Sequence, residues 1–585
     1  MPPKKWQRRP GQVVFTHTAR CRDCYRCLRA CPVKAIRVVD GQAYVDADRC
    51  IACGTCIREC PQHAKQYRRD LDRAERLMAG PGAKAASVAP SFAALFGPED
   101  RDRLPAALRR LGFDHVGETA VGAFESAALT GAHVRAHPGR QTICTACPAV
   151  VAHIEQYAPD LASRLAPVAS PMIAHARLLK ERHGPDTKVF FFGPCVTKKA
   201  EAERPELAGD VDCVLTFGEM CDWLAQRDIV LADCPPEAFD ETPPGESRFF
   251  PVPGGLARTA GLATDLLDTQ VIAVSGAADL EAALDALRRT DRPVVLEPLF
   301  CAQGCVNGPG MPAPDNPFAR RTAVLDYAGG HPGAAADPAA PVPAAVRARG
   351  AAAHAAVPGP REVFPEDDVE GVLRALGKEA EEDRLNCGAC GYGSCREHAE
   401  AVLSGMAAPE MCIPHMRRLA EQRGDRIIET TPNGVLIVDS ELKVLGVNPA
   451  FRRLFQCGDG VLGRHVSCLM DAEPFERVLA SGEPVEQTVR HENYHKVCHE
   501  LVYPLTEDRQ IVGIFVDITR TAASEESLER LRAETARKAK ELLDHQLGMA
   551  QELARFLGAS TAQSEELVRH LMTLAGARRD PEGGA

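Results

Sequence analysis

No stretch of this chain approaches the ~18 consecutive apolar residues that a membrane helix needs, so no membrane partner is expected. The first dozen residues carry Lys4, Lys5, Arg8 and Arg9 but no apolar run. They do not read as a secretory signal, and the expected location is the cytoplasm. Positive charge is in deficit: the net charge of -11 argues against nucleic acid as a partner. Walker and kinase motifs are missing, and so is a flavin-adduct cysteine motif. The chain therefore has no means of its own to spend a nucleotide, and any output must pass to another protein. Otherwise the composition, 45% hydrophobic and 25% charged, is ordinary for a globular protein. A length of 585 residues suggests roughly four domains.

What the chain has in excess is cysteine. There are 23, many for a cytosolic protein, where disulfides are disfavoured and clustered cysteines read as metal ligands. Sixteen fall into four groups of four. The other seven are Cys144, Cys213, Cys221, Cys234, Cys457, Cys468 and Cys498, most of them read as small buried hydrophobes.

The first two groups are CRDCYRCLRACP (Cys21 to Pro32) and CIACGTCIRECP (Cys50 to Pro61). Each is C-x2-C-x2-C-x3-C-P. In this pattern three close cysteines hold one cubane and the fourth crosses to the other. That assigns Cys21, Cys24, Cys27 and Cys60 to one [4Fe-4S] cluster and Cys50, Cys53, Cys56 and Cys31 to a second. Asp40-Gly41 marks a hairpin turn between them. The rival reading is zinc, which favours two CxxC pairs over a doubled CxxCxxCxxxCP. Residues 10–70 resemble a bacterial two-cluster ferredoxin, within a domain expected to span 1–75, and imply single-electron transfer.

From about residue 85 apolar strands alternate with amphipathic helices. KVFFFGPC, DCVLTFGEMCDWLAQ, the run from TQVIAVSG to ADLEAALDALRR, and RPVVLEPLFC are strand units, two of which run into a cysteine loop. This is an α/β pattern with ligands at the C-terminal ends of strands, where such sheets usually bind. Three loops, TICTACPAV, GPCVTKKAE and EPLFCAQGCVNGPGMP, resemble those of iron-only hydrogenases over residues 85–328. The resemblance implies that Cys147, Cys195, Cys301 and Cys305 hold a cubane and that Cys305 also bridges to a diiron unit. It further implies that Lys198, the candidate catalytic and cofactor-contacting residue, meets a cyanide of that unit. A cation there suits an anionic group out of water.

Departures from the family matter as much. The relay thiol of the first loop is replaced by Ala146, and Cys144 lies two residues further upstream. Gly193 and Leu299 stand where methionines are usual. The upstream helix reads GETAVGAFESAAL, and Glu118 and Glu125 are not assigned to the family's acidic relay. Without a donor in reach, proton delivery is expected to be slow. The chain looks like the sensory branch of the family: cradle kept, relay lost. The rival is a cubane alone, as in the related cytosolic iron–sulfur assembly factors.

Residues 329–364, rich in Ala, Pro and Gly, read as a semi-extended linker. The next domain, 365–420, carries Cys387-x2-Cys390-x4-Cys395-x16-Cys412. It resembles the four-cysteine cubane domain of corrinoid iron–sulfur proteins, with zinc as the rival. Residues 425–520 are similar to a PAS domain: two apolar strands in NGVLIVDSELKVLGV, a helix start at Asn448-Pro449, and two strands closing on Asp517-Ile518-Thr519. His491, His495 and His499 could suggest haem but read as structural. In 521–585, Ala536, Ala539, Leu543, Leu547, Ala550, Ala554 and Leu557 form one apolar stripe, a dimer seam or a face packed on the chain itself. Gly558 is expected to end this helix, and Ser560 with Gln563 to start another. His545 is not read as a phosphoacceptor.

The expected fold is multidomain, α/β and α+β. The expected function is a redox or hydrogen sensor that relays cluster state through PAS to a phosphatase or kinase. Ferredoxin or another electron donor would supply it, and PAS and the last helix would make it a homodimer. The alternatives are a slow ferredoxin-dependent hydrogenase and a scaffold that carries clusters.

Overall fold

The structure is a computed structural model that describes residues 8–262, 270–312, 316–359, 362–505, 509–519, 533–538 and 540–541. Two compact units divide at Ala408/Pro409.

The first unit opens with the ferredoxin module. The strands Ile36–Val39 and Gln42–Val45 pair around Asp40 (φ 49°) and Gly41 (φ 68°), the left-handed pair that a tight hairpin needs. Alternate residues are buried, as a half-covered hairpin requires. The strand Val14–Thr16 pairs with Lys65–Tyr67 and closes the module's two ends on each other.

The hydrogenase-like core holds two parallel sheets. One orders its strands His115–Glu118, Lys84–Val88, Lys188–Gly193 and Cys213–Thr216. The other orders Val271–Ser275, Val295–Leu299 and Thr142–Ile143. Strands buried on both faces read as continuous apolar runs, as KVFFFG does. Phe113 meets Phe190 and Phe192 edge to face, at 5.1 and 5.6 Å between ring centres. The helix Phe217–Gln226 starts at a capping box, Thr216 with Glu219. All strands run parallel, so their C-terminal ends share an edge. The loops after Val88, Ile143, Gly193 and Leu299 therefore open the same way within each sheet.

The Ala/Pro-rich segment departs from the expected linker. Residues 344–350 are helical. The stretch after Gly350 is extended, as expected, but bound. Ala169 N–H donates to Gly350 O, Ala352 N–H to Pro167 O and Val357 N–H to Glu155 O. Arg349 pairs with Glu125 and Glu181. Backbone hydrogen bonding needs no apolar side chains, which is why low hydrophobicity hid this strap.

Two close approaches seat the modules of the first unit. A Cβ on Gly54 (φ 75°) would lie 2.5 Å from Pro309 Cγ, and one on Gly391 (φ 96°) 3.0 Å from Leu28 Cγ. Only glycine fits there. The helix Cys395–Leu403 comes next, started by the Ser394 hydroxyl accepting from Glu397 N–H.

The second unit begins with the 18-residue helix Ile413–Thr430, capped by Cys412. Its five-stranded antiparallel sheet orders Val444–Val447, Gly434–Val438, Gln510–Asp517, Lys496–Leu505 and Val485–His491. Asn448 accepts from Phe451 N–H and starts the helix Pro449–Leu454 as expected. Its amide also donates to Ile428 O, tying the long helix to the sheet. His491 and His499 face Glu500 and Glu486 at 2.7 and 3.1 Å, and His495 (φ 53°) turns the chain. Of the apolar stripe, Ala536 lies in a helical stretch. Ala539, Leu543, Leu547, Ala550, Ala554, Leu557, Gly558, Ser560, Gln563 and His545 lie outside the described residues.

Candidate metal centres

The two ferredoxin loops repeat one strained backbone. Asp23 and Tyr25 in the first, Ala52 and Gly54 in the second, all have φ between 53° and 75°. Lys34 and His63 repeat the same turn after Cys31 and Cys60. Non-glycine residues hold such angles only where the surroundings over-determine them, commonly around a bound group. Cys31 and Cys60 sulfurs each accept a backbone N–H at 3.3 Å, from Ala35 and Ala64.

Three thiols lie close enough to others to feel their charge. Burial pushes the Cys27 thiol up; Lys65 draws it down, and Cys24, Cys21 and Cys60 raise it further. Burial likewise raises Cys56, with Cys50, Cys31 and Cys53 adding to it. Cys301 is raised by burial and then by Cys195, Cys305 and Cys147, against Arg58. Groups crowded this way ionise together only around positive charge, which a metal centre would supply. Among the described residues, no three His, Cys, Asp or Glu side chains could hold a single metal ion.

The four cysteines of the core come from three strand ends. Cys147 caps the helix Pro148–Tyr157, Cys195 follows Lys188–Gly193, and Cys301 and Cys305 follow Val295–Leu299. Cys53 of the ferredoxin module is close enough for Cys195 to raise its thiol, after burial and against Thr55 and Arg58. Contacts fix this approach: Arg58 donates to Asn307 O at 2.6 Å, Thr197 to Ala52 O at 3.1 Å and Tyr157 to Arg49 O at 2.5 Å.

Lys198 is buried beside the cradle and favours the thiolates of Cys147, Cys195 and Cys305. Its ammonium donates to Ser170 Oγ at 2.8 Å and Glu201 Oε2 at 2.7 Å. Ser170 and Glu201 also wall a cavity of about 140 Å³, roofed by Ala351–His354 of the strap. Glu201 lies in the same GPCVTKKAE loop as Lys198, whereas sequence reasoning missed its other partner, Ser170. It also missed Ser91, whose buried hydroxyl has no partner among the described residues. Ser91 lies just past the strand Lys84–Val88, which neighbours the strand of Cys195, and a hydroxyl just past a strand end was the available signal. An ammonium and an unmatched hydroxyl suit an anionic group at this edge. At Gly193, the Phe191 ring fills the space a side chain would take, 2.6 Å from a Cβ there.

Ala146 packs on the small apolar cluster that contains Cys144. Burial raises the Cys144 thiol, and the charge it feels is that of Glu297. Glu118 is committed to Arg248 and Tyr327, and Glu125 to Arg349.

Glu297 accepts from Gly254, Leu256 and Ala257 N–H groups, yet burial dominates and lifts its carboxyl from the ordinary 4.5 to about 6. Between these values the folded chain holds a proton that the unfolded chain releases. Its contribution is therefore present below 4.5 and is lost as pH rises through about 6, by about 2 kcal/mol. Relative to Glu297→Gln, wild-type stability should fall by that amount across the window in urea titrations. Parallel curves would refute the assignment.

In the fourth group, Cys387, Cys390 and Cys395 belong to the first unit and Cys412 to the second. Cys387 is exposed and Cys395 buried.

These features define a class: a multidomain iron–sulfur protein on an α/β core. Residues 83–309 match "Iron only hydrogenase large subunit, C-terminal domain", 14–74 "4Fe-4S dicluster domain", 383–414 "Putative Fe-S cluster" and 422–518 "PAS fold". The chain is thus a hydrogenase-like iron–sulfur protein that carries a PAS domain. Cytosolic Fe-S cluster assembly factor NAR1 of Vanderwaltozyma polyspora is 36% identical over 96 residues, 16% of this chain and 18% of that protein. NADP-reducing hydrogenase subunit HndD of Solidesulfovibrio fructosivorans is 29% identical over 182 residues, 27% of this chain and 31% of that one. The chain thus spans less than a third of either relative. FeFe-hydrogenase HydA1 from Chlamydomonas reinhardtii aligns at a TM-score of 0.40 and 17% identity, covering 49% of this chain and 99% of its own. No helix among the described residues is long and apolar enough to cross a membrane.

Proposed function

We propose that this protein is a cytoplasmic redox or hydrogen sensor. The observation that carries the reading is one site with two halves. Four thiols and Lys198 remain around a common point, while Ala146 puts a methyl group where a proton donor is needed. In this reading Cys21, Cys24, Cys27 and Cys60 hold one [4Fe-4S] cluster and Cys50, Cys53, Cys56 and Cys31 the next. Cys147, Cys195, Cys301 and Cys305 hold the core cluster, and Cys387, Cys390, Cys395 and Cys412 the fourth. A diiron unit, when bound on Cys305, supplies hydrogen binding. Lys198 balances its charge, held in place by Ser170 and Glu201, and Ser91 offers it a hydroxyl.

The output runs along the chain. Cys412 is both the last cysteine of the fourth group and the cap of the helix Ile413–Thr430. That helix ends where Asn448 ties it to the PAS sheet. A shift at Cys412 therefore moves a rod about 27 Å long against the sheet. For this to signal, the two redox states must differ in their contacts with the helix. The receiver is a phosphatase or kinase, the electron donor a ferredoxin, and the assembly a homodimer through PAS and the C-terminal helix.

The test is infrared spectroscopy of protein made anaerobically with hydrogenase maturation proteins. Carbon monoxide and cyanide bands that shift under hydrogen are expected. Iron at cubane level with no such bands would leave a general redox sensor, or a cluster scaffold of the kind the assembly-factor similarity favours.

A slow hydrogenase is the second reading, favoured by the retained Lys198. Ala146→Cys restores a thiol at the relay position and should raise hydrogen evolution from a strong reductant by about 10²-fold or more. A flat rate would remove Ala146 as the cause of slow turnover.

A further inference from the structure

The glycine loop of the four-cysteine segment docks on the ferredoxin module, on the Cys31 side. Lys34 is the centre of the contact. Its ammonium donates to Gly391 O at 2.7 Å and to Leu28 O and Arg29 O at 3.3 Å, so its protons span both modules. Arg29 reaches Ala389 O at 3.5 Å and Arg37 reaches Gly405 O at 2.9 Å. Val38 N–H donates to Met406 O at 2.9 Å.

A cation taken out of water should have anions to answer it. Those around Lys34 are Cys31 on one side and Cys390 and Glu397 on the other; burial pulls its proton affinity down, and they act against that. Tyr392 lies in the same place. It is 5% exposed, its hydroxyl has no hydrogen-bond partner among the described residues, and it feels the charges of Cys390 and Cys31. An unmatched buried O–H beside two thiolate sites is a donor without an acceptor until a cluster sulfur is there.

We propose that Lys34 is a redox coupler: one half-buried ammonium shared by the cluster on Cys31 and the cluster on Cys390, which raises the reduction potential of both. Tyr392 adds a hydrogen bond to a sulfur on the Cys390 side. Positive charge and hydrogen bonds to sulfur both favour the reduced, more negative cluster. These two clusters then form the electron sink of the chain. One electron leaves the cluster of Cys21, Cys24, Cys27 and Cys60, which is oxidised, and settles on the Lys34 pair, which is reduced. The Cys31 cluster also faces Cys195 through Cys53, so it is a junction between the core and the segment that leads to PAS. This inference rests on the cluster assignments of the proposed sensor.

The test is an EPR-monitored redox titration of the full chain, with iron counted, in wild type, Lys34→Met, Lys34→Arg and Tyr392→Phe. Cys390→Ser identifies the fourth cluster's signal. In Lys34→Met the Cys31-side and Cys390-side signals should both move to lower potential by tenfold or more in the reduction equilibrium, 59 mV for one electron. The Cys21-side signal should stay, and Lys34→Arg should restore the wild-type values. Tyr392→Phe, which removes one oxygen, should lower the Cys390-side signal alone. Full iron with unmoved potentials in Lys34→Met would overturn the coupler, and an unmoved Cys390-side signal in Tyr392→Phe would remove the added hydrogen bond. Wild-type iron short of four cubanes would overturn the cluster assignments instead.

Discussion

Cys305→Ser should abolish the carbon monoxide and cyanide bands and remove one cubane's worth of iron, while the PAS sheet melts as in wild type. Cys305 opens a short turn whose N–H is fixed on Pro251 O at 2.8 Å. Its thiol stands with Cys147 and Cys195, which raise it after burial does, and with Lys198, which lowers it. A hydroxyl in its place is a poorer partner for iron than a thiolate, both for the core cluster and for the diiron unit of the proposed reading. The second unit has a core of its own around Phe451, Phe455 and Phe515, so its stability should not change with it. Full bands in the variant would end the assignment of Cys305. A lost PAS transition would end the independence of the units.

Lys199→Met should cost about 3–5 kcal/mol of the first unit's stability, read from urea midpoints, because it leaves the buried Glu219 carboxylate without its cation, while Asp70 keeps Arg68. Lys198 and Lys199 are adjacent on the helix Thr197–Glu201 but face opposite sides. Lys198 serves the cradle. Lys199 is fully buried and meets Asp70 at 2.9 Å, Glu219 at 3.0 Å and Val214 O at 2.7 Å. Glu219 in turn accepts from Asp70 N–H at 2.6 Å and from Thr216, whose strand end starts the next helix. One ammonium thus joins the tail of the ferredoxin module to the core sheet. A loss under about 1 kcal/mol would show that this network is dispensable.

Features with a short sequence period are legible in the chain. The doubled C-x2-C-x2-C-x3-C-P, the strand KVFFFG, the Asp40-Gly41 turn and the Asn448 cap each depend on neighbours within a few residues. What escapes is paired at long range. Lys199 resembles its neighbour Lys198 until Asp70 and Glu219 are seen on its far side. The strap after Gly350 has too little apolar surface to announce that it binds, because its backbone does the binding. Ser91 is one small hydroxyl among many until its lack of a partner is known. The cradle's cysteines and Glu201 are readable, whereas Ser170, the other residue that steadies Lys198, is not, since it lies on another element.

The docking of Gly54 on Pro309 and of Leu28 on Gly391 also sets a clock for the newborn chain. Residue 391 leaves the ribosome more than three hundred residues after residue 54. At ~5–20 residues/s that is a wait of roughly 15–70 s. Until residue 309 follows, both of the later seats of the ferredoxin loops are unmade, and the second stays open until residue 391. The cell thus has an interval in which iron can be loaded from the open side. Slowing translation between residues 54 and 309 lengthens that interval without changing the sequence.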